Sequence, residues 1–187
     1  MDFIDAKITD ERKQTLKRLF ECEFDSPEEQ LEYLVKHEAA HRMMMKRLAP
    51  EVKTRWWFNR RKDGGFSARV YQDKRIEDPA DDLACAIAGF VANMLMKGIP
   101  VDDFGSIAYF LVADSKRNCS RQMVLYIAIN DFRLAFSALE RVHGRDFMEQ
   151  AWGLENAMRY VAATIIGNMG EYDKMVASAR KYFGQRF

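Results

Sequence analysis

Apolar positions recur at helical spacing from Pro27 onward, at Leu31, Leu34, Val35, Met44, Met45 and Leu48, the pattern of one stripe along a helix. Ser26-Pro27-Glu28-Glu29 supplies the start. The serine can cap, the proline suits the first turn, and Glu29 falls where a capping box needs an acid. Pro50 closes the run, so the spacing predicts a helix over 27–48, preceded by a shorter one over 9–21. Residues 55–72 change period. Arg55-Trp56-Trp57-Phe58 and Phe66-Ser67-Ala68-Arg69-Val70-Tyr71 are aromatic and β-branched runs around Asp63-Gly64-Gly65, a tight reversal that predicts a β-hairpin. After Pro79 the period is helical again. Helices are predicted over 80–97, 103–115, 119–141, 145–151 and 153–183, with breaks near Gly98-Ile99-Pro100, Asn118 and Gly144. Gly167 and Gly170 are places where the last could divide.

This is a mainly α fold with a small β-hairpin. The 187 residues fit one domain over 26–187 with an N-terminal helical extension over 1–25. Apolar residues make up 48% and charged residues 30% of the chain, enough of the first to build a core and too little of the second for a disordered chain. The net charge of +1 gives no general attraction to nucleic acid or an anionic membrane. Cys22, Cys85 and Cys119 are odd in number and widely spaced, which speaks against a disulfide framework and suits a reducing compartment. The acidic N-terminus lacks the basic and then apolar run of a signal peptide, and the apolar stretch over 83–96 is shorter than the roughly 20 residues that span a bilayer. A cytoplasmic protein is the expectation.

The chemistry lies in His37-Glu38-Ala39-Ala40-His41. Residues four apart stand one above the other on a helix, so both imidazoles project from one face. Two such rings can reach one tetrahedral zinc ion. Glu38, beside them, can take a proton from water that the metal has brought to a pKa of roughly 7. Only three histidines occur in the chain, and the turns flanking this pair, Tyr33-Leu34-Val35 and Met43-Met44-Met45, are apolar. The pair is therefore expected to be half buried, where imidazoles need partners. A catalytic zinc usually takes three protein ligands. His143 is available but reads as a helix end, whereas Asp102 and Asp103 open a helix, as do Asp81 and Asp82; acids in such places are also ordinary helix caps.

The order of features resembles the peptidase domain of FtsH-type ATP-dependent zinc metalloproteases. His37 to His41 is similar to that family's His-Glu-Ala-Gly-His helix, and Trp56 to Tyr71 to its hairpin. Gly89-Phe90-Val91-Ala92-Asn93 is similar to its Gly-Arg-x-Ala-Glu, with Asn93 in place of Glu and Phe90 in place of Arg. Gly98 matches a nearby glycine, and Asp103-Phe104-Gly105-Ser106-Ile107-Ala108 resembles the stretch whose aspartate is the third zinc ligand, after a shorter turn. The run from Ala162 to Tyr182 is similar to the final helices. The resemblance spans about residues 27–183 and implies a zincin-like helical metallopeptidase domain in which His37, His41 and Asp103 hold Zn2+, with Asp102 the nearest rival to Asp103. The chain carries neither the family's ATPase module nor its membrane anchor, which implies a stand-alone domain.

The expected function is hydrolysis of peptide bonds in a peptide or unfolded protein, with Glu38 as general base and then proton shuttle to the leaving amine. The family pairs substrate backbone with a sheet edge, which implies strand addition at the hairpin over 66–71. A second expectation, favoured by Asn93 and the altered ligand stretch, is a catalytically degenerate relative acting as an adaptor, with a partner protein or a homo-oligomer. Nucleic-acid binding through Arg60, Arg61 and Lys62, with Trp56 and Trp57 as stacking surfaces, is a third and is disfavoured by the near-neutral charge.

Overall fold

A computed structural model describes residues 24–61, 66–117 and 125–186. The helix expected over 9–21, the break at Asn118, the hairpin tip at residues 62–65, and Cys22 and Cys119 lie outside the described residues. Within them the chain forms α1 (Pro27–Leu48), β1 (Thr54–Arg60), β2 (Phe66–Gln72), α2 (Pro79–Met96), a 3-10 turn (Val101–Asp103), α3 (Phe104–Arg117), α4 (Leu125–His143), α5 (Phe147–Gly167) and α6 (Met169–Gly184). The fold is mainly α with one two-stranded antiparallel sheet, as its periodicities indicate.

Helix α1 starts where its cap signal lies. Ser26 Oγ accepts from the Glu29 N–H at 3.1 Å. The Glu29 carboxylate reaches back past the cap residue and accepts from the Asp25 N–H at 2.8 Å, so two otherwise unpaired donors are satisfied. Helix α2 is the centre of the domain and packs against α1, α4 and α5. Every residue from Asp82 to Met94 is buried. Its length and composition would also suit a membrane span, but most of it is enclosed within the protein. Helices α2 and α4 are pinned at one end by Asp82, which pairs with Arg141 of α4 and, at 3.9 Å, with Arg75. Asp82 is thus occupied by arginines, well separated in role from the histidine pair.

Helix α6 lies along α1. Arg47 pairs with Glu171 at 2.6 Å, Arg180 with Glu32 at 2.7 Å, and the Tyr172 hydroxyl donates to the Lys36 carbonyl at 2.9 Å. The division of the C-terminal region differs from the expected one. Helix α5 runs unbroken through 151–153, where two helices were expected to meet, and the break comes at Asn168, between the Gly167 and Gly170 at which the sequence allows a division. Gly153, inside α5, serves close packing: a Cβ there would lie 2.2 Å from His143 Nε2. A helix interrupted for lack of propensity would cost only about 1 kcal/mol to continue, less than the packing gained by continuing.

The hairpin register sets Trp56 opposite Val70, Phe58 opposite Ala68, Arg55 opposite Tyr71 and Trp57 opposite Arg69. One face turns inward. Trp56 is buried, donates from Nε1 to Ser178 Oγ at 3.2 Å and meets Phe183 edge-on, while Phe58 stacks on Phe183 at 5.2 Å. A base-stacking role for Trp56 is therefore closed off, because its rings already pack against α6.

Candidate metal centre

Helix α1 carries His37, Glu38 and His41 at 2%, 5% and 5% exposure, deeper than the half burial the sequence suggests. Their rings converge. His37 Nε2 and His41 Nε2 are 3.1 Å apart. A carboxylate from α4 completes the group: Asp131 Oδ2 lies 3.0 Å from His37 Nε2 and 3.3 Å from His41 Nε2. Among the described residues, His37, His41 and Asp131 form the cluster able to hold a metal ion.

The acid placed beside the histidines is not the one expected as third ligand. Asp103 and its rival Asp102 lie in the 3-10 turn that leads into α3, with the Asp103 N–H donating to the Pro100 carbonyl. Helix α3 packs against α5, whereas α1 is lined by α2, which is backed in turn by α4. The acid brought to the histidines is thus Asp131, and neither Asp102 nor Asp103 belongs to the cluster. His143, at the C-terminal end of α4, packs against Gly153. Asp131 carried a readable signal. It lies four residues before Ala135 and seven before Ala138, both buried, on the core stripe of an amphipathic helix, where a charge requires a partner.

Helix α2 supports the pair from a single stripe. The Cys85 carbonyl accepts from His41 Nδ1 at 2.7 Å, which leaves Nε2 of a neutral His41 with its lone pair toward Asp131. One turn on, Gly89 leaves the room: a Cβ there would lie 2.4 Å from His37 Nε2 and 2.5 Å from His41 Nε2. A further turn on, Asn93 Nδ2 is 2.8 Å from His37 Nδ1 and 2.5 Å from Tyr33 Oη, and buried Asn93 Oδ1 has no partner. Turning that amide over would let Oδ1 accept from both His37 Nδ1–H and Tyr33 O–H. Amide orientation and histidine tautomer are linked choices of this kind. In that orientation both Nδ1 atoms donate, so two imidazole lone pairs and a carboxylate oxygen face one point. Three acceptors at such distances repel unless a cation sits among them, so in that orientation the group could hold a metal ion.

A proton fills the same role in the metal-free protein. Burial alone would push the His41 imidazolium down, but the adjacent Asp131 carboxylate, with help from Glu38 and the Cys85 carbonyl, holds it up at about 9. Burial works to raise Asp131, and the two histidines outweigh it and keep that carboxyl well below the usual carboxylate range. A metal ion held by this group would have to displace the His41 proton, so its affinity should rise about tenfold per pH unit up to about 9. The metal-free protein should do the reverse. Its imidazolium–carboxylate pair contributes fully below the unfolded value of 6.5 and fades as pH rises through about 9. Thermal melts across that window should show the metal-free midpoint falling while the increment from added metal grows. A metal increment that shrinks with rising pH would contradict this assignment.

Glu38 points from the same helix toward the hairpin. Its Oε2 accepts from the Val70 N–H at 2.7 Å. Burial raises its pKa, with the Asp131 charge adding to that and the two histidines and the Val70 N–H opposing it. The sequence matches no known protein family and no curated protein.

Proposed function

We propose that the chain is a zinc-dependent metallopeptidase-like protein of the FtsH peptidase type, with His37, His41 and Asp131 as the metal ligands. The observation that carries the reading is the convergence of two imidazole nitrogens and one carboxylate oxygen, at edges of 3.0, 3.1 and 3.3 Å, beside a buried glutamate from the same helix. A tetrahedral zinc with ligands about 2.0–2.2 Å away has ligand–ligand edges of roughly 3.4 Å, close to those separations. Two histidines with one carboxylate are also a ligand set that leaves a fourth position open. Bound there, zinc would supply a Lewis acid and an activated water.

The chain's own residues supply the remainder. Glu38, whose pKa is raised by burial, is suited to accept a proton from the attacking water and deliver it to the leaving amine. Its bond to the Val70 N–H ties the base to β2. Because that N–H is given to Glu38, it points away from β1. By the alternation of a strand, Ala68 offers its N–H and carbonyl in the same direction. Among the described residues no third strand covers that edge. An extended peptide added there would lie along the strand that holds the base.

The test is loss and recovery. Protein purified without chelator should contain close to one zinc per chain and cleave an unfolded protein such as reduced, carboxymethylated casein. Chelation should abolish cleavage, and zinc should restore it. Stoichiometric zinc with no cleavage of any unfolded substrate would leave a metal-holding adaptor as the function and end the hydrolytic reading.

A further inference from the structure

The outer face of the hairpin carries two arginines, Arg55 on β1 and Arg69 on β2, and the strand residues Thr54–Arg60 and Phe66–Gln72 include no acidic residue, in a chain whose overall charge is only +1. The cross-strand pairs Arg55–Tyr71 and Trp57–Arg69 lie side by side on that face. Arg55 stands over the Tyr71 ring at 4.5 Å and Arg69 over Trp57 at 4.4 Å. Both arginines are exposed, and neither is paired with an acid among the described residues. A guanidinium stacked on a ring is engaged through its face, which leaves the N–H donors at its edge for other partners. That edge matches a carboxylate. The aromatic partners hold the two guanidinium groups in place, so less side-chain freedom is lost on binding.

We propose that the substrate strand taken by this hairpin carries acidic side chains at alternate positions, which pair with Arg69 and Arg55. The inference rests on the peptidase reading for its setting. A peptide paired with the free edge of β2 turns every second side chain toward the face that bears Arg69 and Tyr71, and the others toward α1. Carboxylates in the first set come beside Arg69 and, across Tyr71, Arg55. Apolar or small residues in the second set meet the side of β2 that bears Val70 and Ala68. A polypeptide fits better than a single-stranded nucleic acid, because the edge offers the Ala68 N–H and C=O beside the Val70 N–H that Glu38 already holds, and backbone groups of this kind pair in register with another backbone.

The experiment uses the full chain, zinc-loaded and carrying Glu38→Gln so that peptides are retained. Fluorescein-labelled ten-residue peptides with alternating Glu and Val, with Lys in place of Glu, and with the same Glu residues in one block are titrated by anisotropy. The alternating acidic peptide should bind about tenfold more tightly than the lysine peptide and several-fold more tightly than the blocked one, an advantage that shrinks in high salt. Arg69→Glu and Arg55→Glu, both exposed and remote from the core, should each erase most of that preference. Equal binding of acidic and basic peptides, or an unchanged preference in both variants, would overturn the proposal. So would an oligothymidylate that binds more tightly and displaces the peptide, which would assign the face to single strands. The chain without Glu38→Gln separates the two layers. Cleavage with no charge preference sinks the substrate inference alone. Charge-selective binding with no cleavage sinks the peptidase reading and leaves the face as a dock for acidic strands.

Discussion

Asp131→Ala should abolish stoichiometric metal binding, while Asp103→Ala should leave it intact. Asp131 supplies the oxygen that closes the triangle with His37 and His41, and Asp103 sits in a turn whose helix packs elsewhere. Outer partners of a metal ligand typically contribute 10–100-fold in affinity, so loss of a ligand itself should exceed about 100-fold. The metal-free protein should also suffer, because His41 loses the carboxylate that holds its proton. Removing one member of a hydrogen-bonded charged pair leaves the other poorly solvated, a cost of roughly 1–3 kcal/mol. Asp131→Asn keeps the shape without the charge and should reproduce the loss of metal with less loss of stability. Calorimetric titration with zinc, read beside thermal melts of each variant, decides the matter. Equal affinities for Asp131→Ala and the unsubstituted chain would remove Asp131 from the ligand set.

Glu38→Gln should separate binding from chemistry. The glutamine carbonyl can still accept from the Val70 N–H, so the link between α1 and β2 that Glu38 makes at 2.7 Å survives. The proton acceptor does not. General acid–base groups contribute about 10²–10⁴-fold to rate, and kcat/KM on an unfolded protein should fall by that order with zinc content unchanged. A variant that retains metal and cleaves at the original rate would show that Glu38 is a structural tie to the hairpin and nothing more.

Much of the architecture was legible because it rests on local signals. The Ser26 cap, the apolar stripe that follows and Pro50 bound α1 at the positions the helix adopts. The two-residue period of 55–72 gives the strands, and Gly98 and Gly144, with φ of 68° and 62°, end helices where left-handed backbone requires glycine. The candidate metal site was half legible for the same reason. His37 and His41 are four residues apart, and their convergence follows from one helical turn. Asp131 is separated from His37 by 94 positions, and its approach depends on how α2 and α4 cross. Position at a helix start drew attention to Asp102 and Asp103, but that position answers the needs of the helix dipole. A charge on a core stripe answers to something outside the helix, which is the better guide.

Cys85, Gly89 and Asn93 occupy successive turns of α2, yet the histidines ask something different of each. At 85 they use only a main-chain oxygen, so alanine or serine would serve. At 89 they need an empty space, which no other amino acid provides. At 93 they meet a side-chain amide that can turn either its nitrogen or its oxygen to His37 Nδ1, a choice that neither aspartate nor an apolar residue offers. If the group holds an ion, a permissive, then a forbidding, then a selective position at four-residue intervals is what its retention would leave among distant sequences, and drift at the middle one would date its loss.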